Sequence, residues 1–145
     1  MRDRNAVAGS SLSPLHAVIL AFPVALYSSA LLSDITYFNT AEIQWSNFSS
    51  WLIAGADFFA GILLSWAVFS FSFGRVGAHR GRGLLYLALV GTMFVLGLVN
   101  AFQHAKDGWH SVGTPGLVLS TLCTVLALVI ALLAHSRFFL REKNV

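Results

Sequence analysis

Charge is what this 145-residue sequence has least of: Asp, Glu, Lys and Arg together make up 10% of it, while 57% is apolar. A soluble domain carries roughly a quarter charged residues, so a water-facing surface cannot be assembled from this chain. Cysteine is nearly absent too. The lone Cys123 excludes an intramolecular disulfide and a multi-cysteine metal site, and its place inside an apolar run fits a packing role. No glycine-rich phosphate loop, nucleophile elbow or zinc His-Glu-x-x-His occurs, so neither catalytic residues nor a metal centre are expected and the chain reads as a non-enzyme. The net charge of +3 comes from basic residues at the chain ends and in short breaks rather than from a stripe, which argues against nucleic acid as a partner. Neither an internal repeat nor a low-complexity tract is visible.

What the sequence has instead is length of apolar run. Residues 15–33, 51–73, 83–103 and 116–138 each approach or exceed the roughly 20 residues that cross about 30 Å of hydrocarbon. Inside lipid every backbone polar group must bond within its own segment or in a closed barrel. These runs lack period-2 alternation, so helices are expected, in one all-α, four-helix transmembrane bundle. Residues 34–50, 74–82 and 104–115 are the expected connections. His16 and Pro23 interrupt the first run, which is therefore expected to remain as a span rather than to be cleaved as a signal peptide.

Basic residues set the expected orientation. With both termini cytoplasmic (N-in, C-in), Arg2, Arg4, Arg75, Arg80, Arg82, Arg137, Arg141 and Lys143 lie inside and only Lys106 outside. Trp45, Trp51 and Trp109 then fall near the outer interface of the membrane, where an amphipathic indole is favoured.

Polar residues at membrane depth are costly, so they point to the bundle interior. In the first span His16, Leu20, Pro23, Tyr27, Ala30 and Asp34 recur at helical spacing and should share a face. Asp57, Gly61, Ser65 and Ser72 form a comparable stripe in the second, Gly97, Asn100 and His104 in the third, and Ser120, Thr124, Ala131 and His135 in the fourth. The orientation gathers Asp34, Asp57, Asn100, His104 and His110 into an outer polar cluster. His16, His79, Arg80 and His135 form an inner layer. Asp57, six residues below Trp51, is expected to meet Asn100 or His104.

Ser13-Pro14-Leu15-His16, the Phe22-Pro23 pair and Leu31-Leu32-Ser33-Asp34 resemble the opening of the bacterial four-helix membrane family catalogued as domain of unknown function 2231. The similarity continues through Trp51 to Ala56 and, less clearly, around Asn100 and Gly116 to Ser120. Where relatives tend to carry an aspartate after the second span, this chain has Phe71 and Phe73, and His104 stands where an arginine is common. The resemblance implies a four-helix fold and a place as accessory to periplasmic redox proteins.

Three functions compete on these residues. The first is a membrane anchor or interaction subunit for a periplasmic oxidoreductase or a second copy of itself, using aromatic Tyr37, Phe38 and Trp45, with the lipid bilayer as its surroundings and no cofactor. A second is electron transfer through haem b held by imidazoles from His16, His79 or His135. The third is a proton or small-solute pathway through Asp57, Asn100 and His104.

Overall fold

The computed structural model describes residues 14–73, 80–106 and 112–142, the last eight of these and Arg80 and Arg82 by backbone alone. Four helices follow one another: α1 (Pro14–Thr40), α2 (Ile43–Phe73), α3 (Arg80–His104) and α4 (Thr114–Glu142). All four are long and apolar enough to cross a membrane. Each packs against its neighbour in sequence, and α4 returns to α1. Among the described residues the diagonal pairs α1/α3 and α2/α4 make no close backbone approach, so the bundle is a square ring run up and down. We call the end where α1 begins and α4 finishes proximal, and the opposite end distal.

The helices run well past the apolar stretches. Residues 35–50, expected as a connection, are helical except for Ala41 and Glu42. Their polar side chains make this possible: Ser33, Thr36, Asn39 and Thr40 each donate to a carbonyl one turn back in α1, as Ser50 does in α2. The reversal is confined to Ala41, whose N–H closes on the Tyr37 carbonyl at 2.8 Å with φ at 57°, a left-handed conformation usually left to glycine. Pro115 sits in the first turn of α4, where its missing N–H costs no helical bond.

Small and polar side chains share the interior with a few large apolar ones such as Leu20, Ile53 and Met93, while the exterior is almost wholly large and apolar. Ala30, Ala56, Ala60, Ala67, Ala127 and Ala134 are buried, while Leu32, Trp51, Phe58, Phe69, Phe102 and Leu132 face outward. That inversion fits a lipid environment, where tails already solvate leucine and small residues let backbones approach. The face foreseen for α1 is the one buried: His16, Leu20, Pro23, Tyr27, Ala30 and Asp34 all line the core. In α2 the stripe is corrected. Ser65 and Ser72 are exposed and Gly61 is half-buried, because the buried face follows Ser49, Ile53, Asp57, Ala60, Leu63 and Ala67, about 100° per residue from Asp57. Ser65 returns its hydroxyl to the Gly61 carbonyl instead.

Buried positions also recur between the two hairpins. His16 meets Tyr86 and Asp34 meets His104, both pairs 70 residues apart, and Leu20 and Val90, Pro23 and Met93, Tyr27 and Gly97, Ala30 and Asn100 share that interval. In α2 and α4, Ile53 and Ser120, Ala56 and Cys123, Asp57 and Thr124, Ala60 and Ala127, Leu63 and Ile130, and Ala67 and Ala134 keep a second constant interval. The repeat is one of burial and register, invisible as residue identity.

Candidate functional site

Near the distal end of the core a polar knot draws on all four helices. Asp34 of α1 crosses the diagonal to His104 of α3, Oδ1 to Nε2 at 3.0 Å, with both side chains fully buried. His104 Nδ1 lies 2.9 Å from the Asn100 carbonyl, which can only accept, so Nδ1 carries a proton. The contact between Nε2 and Oδ1 then needs one further proton between them. The pair is an imidazolium with a carboxylate or a neutral imidazole with a carboxylic acid, and it is electrically neutral either way. Ser120 of α4 donates to the other oxygen of Asp34 and accepts from the Asn100 side-chain amide at 2.9 Å. Ser49 of α2 donates to the Ala30 carbonyl at 3.3 Å and touches His104 Nε2 at 3.5 Å. Every side-chain polar atom of Asp34, His104, Ser49 and Ser120 is partnered.

About two helical turns deeper, Tyr27 donates its hydroxyl to Asp57 Oδ1 at 2.5 Å. Thr124 donates to the Tyr27 and Ser120 carbonyls. The foreseen contact with His104 is absent, and at Oδ1 Tyr27 takes the place foreseen for Asn100 or His104. His104 is occupied by Asp34, and the tyrosine approaches from the adjacent helix in the same layer. A glycine makes the layer possible: a Cβ on Gly97 would collide with the Asp57 carboxylate and the Tyr27 hydroxyl. Asp57 Oδ2 and Asn100 Oδ1 are buried and have no hydrogen-bond partner.

The structure therefore brings Asp34, Asn100 and His104 of the foreseen outer cluster into contact and sets Asp57 one layer below. His110 lies outside the described residues. Of the histidines considered for haem, His79 and the side chain of His135 also lie outside them. His16 is buried, with Nε2 2.8 Å from the Tyr86 hydroxyl and its ring against those of Trp66 and Tyr86. Sequence reasoning missed Ser49 and Tyr86 as partners. Ser49 stands at the level of His104 on the neighbouring helix and Tyr86 at the level of His16 across the diagonal, and that shared depth is the signal that could have found them. Between α1 and α4 a recess of about 260 Å³ opens among Ala17, Leu20, Ala21, Val24, Ala25 and Ala131, apolar and remote from the knot.

No curated protein and no solved structure matches the chain. Residues 12–135 match the family described as "Predicted membrane protein (DUF2231)". With that match across most of the sequence and a bundle of four apolar helices beneath it, this protein belongs to the DUF2231 family.

Proposed function

We propose that the protein is a non-enzymatic inner-membrane interaction subunit that presents its distal end to a periplasmic partner, a redox protein being the class the family resemblance suggests. The observation that carries this reading is the α1–α2 tip. There Phe38, Ile43, Trp45 and Phe48 are exposed beside Asn39, Thr40 and Glu42, roughly 9 Å or less beyond the level of Asp34 and Ser49. Aromatic side chains interleaved with polar ones are the composition of protein interfaces. The knot beneath them supports the same reading, because partnered polar groups from all four helices hold the tip in one geometry. The periplasmic placement rests on the sequence count of basic residues, eight in the segments assigned to the cytoplasm and Lys106 alone outside.

A photo-crosslinking residue at Phe38 or Trp45, in cells, tests the proposal. Expected is an adduct with a defined periplasmic protein that a charge substitution at Ile43 removes while the chain remains in the membrane. Adducts with lipid alone, or an active cytoplasmic reporter inserted at Ala41, would overturn it.

A further inference from the structure

Two buried oxygens, Asp57 Oδ2 and Asn100 Oδ1, lack partners, and both are acceptors unless a proton is supplied. Asp57 is 6% exposed and Asn100 0%, so bulk water does not solvate them. Helical side chains lean toward the N-terminus of their own helix. The N-terminus of α2 is distal, so Asp57 leans distally from its place against Gly97. Asn100, one turn beyond Gly97 on the same face of α3, leans back proximally. The carboxyl and the carboxamide are thus inclined toward each other.

The orientation of the Asn100 amide follows from Ser120. That hydroxyl has one proton, given to Asp34, so it accepts from Asn100 Nδ2. The carboxamide oxygen is left for Asp57. A carboxylate at Asp57 would confront it with like partial charge in a site where an unpaired anion is costly.

We propose that Asp57 and Asn100 form a proton-binding site, in which Asp57 is a carboxylic acid whose Oδ2–H is directed at Asn100 Oδ1, and that the site exchanges its proton with the distal side only. The one-sidedness comes from what lies along the axis. Distally the core continues as Asn100, Ser120, Asp34 and His104. Proximally, Leu20, Leu63, Val90, Met93 and Ile130, each 2% exposed or less, fill the interior between Tyr27 and His16. Those positions on α1 are eleven residues apart, about 16 Å of helix. The other titratable groups facing Asp57 are Tyr27 on α1 and Cys123 on α4, with Asp34 and His104 in the layer above.

Infrared spectroscopy of the full chain in bilayers reads the proton. Expected is a protonated-carboxyl C=O band that Asp57→Asn removes, Asp34→Asn leaves, and D2O shifts. Wild-type protein labelled with 13C-aspartate, read by solid-state NMR, gives the same answer where a variant does not fold. Proton flux into reconstituted vesicles should equal that of empty vesicles. An ionised Asp57 beside a protonated Asp34 would reverse the polarity of the chain and overturn the assignment. So would a band that sodium titrates away, which would make the site a cation site, or a proton leak that Asp57→Asn abolishes.

Discussion

The distal knot and the Tyr27–Asp57 layer lie about two turns apart, each built around one buried carboxyl group, and they solve the same problem differently. Asp34 spends both oxygens, on His104 and Ser120, and is balanced by a titratable neighbour. Asp57 spends one, on a phenol that brings no charge. A carboxyl group with a base beside it can be held as an ion pair. One with only neutral neighbours is stable at this depth when it keeps its own proton. The first arrangement fastens helices together, and the second leaves a group whose protonation is free to matter.

The contrast is broken most forcefully at His104. His104→Ala leaves the Asp34 carboxyl buried without its base and is expected to cost about 3–5 kcal/mol, read as a loss of thermal stability in detergent. Asp57→Asn replaces a neutral acid by its isostere and should change stability by less than about 1 kcal/mol. Equal losses in the two variants would erase the distinction between the layers. Gly97→Ala is next, at about 1–3 kcal/mol, because the new methyl group must displace the Asp57 carboxyl and the Tyr27 hydroxyl together. Gly61→Ala meets only the rim of the Phe94 ring at 3.3 Å, which can swing aside, and should be close to neutral. Tyr27→Phe sharpens the comparison further. It strips Asp57 of its one donor for about 1 kcal/mol and should move the Asp57 carboxyl band while leaving that of the knot in place. A further small effect lies outside both layers: Ala41→Gly relieves the left-handed backbone of the α1–α2 turn and should raise stability by up to about 1 kcal/mol in the same melting assay.

Much of this is legible in the sequence. Four spans follow from the lengths of apolar run, and the buried face of α1 follows from the spacing of His16, Tyr27 and Asp34, because polar residues in a lipid-exposed helix have one direction to go. Asp34, Asn100 and His104 could be placed in one layer by counting residues from the helix ends. Depth, however, does not choose partners within a layer. Counting from the helix ends assigns Asp57 to the layer of His104, but Asp34 reaches across the diagonal to the imidazole and Asp57 bonds Tyr27 about two turns deeper. The helical course of residues 35–50 was hidden for another reason. Serine, threonine and asparagine read as turn formers in water, yet here they bond back onto the helix that carries them. In α2, Gly61 and Ser65 look like a packing stripe by composition. The apolar Ala60 and Leu63 occupy the core instead, and smallness alone does not tell which side of a helix a residue serves.

The matching burial intervals of the two hairpins make them alike in shape, but their chemistry is unlike. Both core acids, Asp34 and Asp57, come from the first hairpin, while the imidazole, the carboxamide and the hydroxyls of Ser120 and Thr124 come from the second. Two first hairpins brought together would stack four carboxyl groups with no imidazole in their layers, and two second hairpins would bury donors without an acid. The two hairpins are therefore chemically complementary halves of one polypeptide. Co-expressed as separate fragments divided between Phe73 and Arg80, the halves would recognise each other in preference to their own kind.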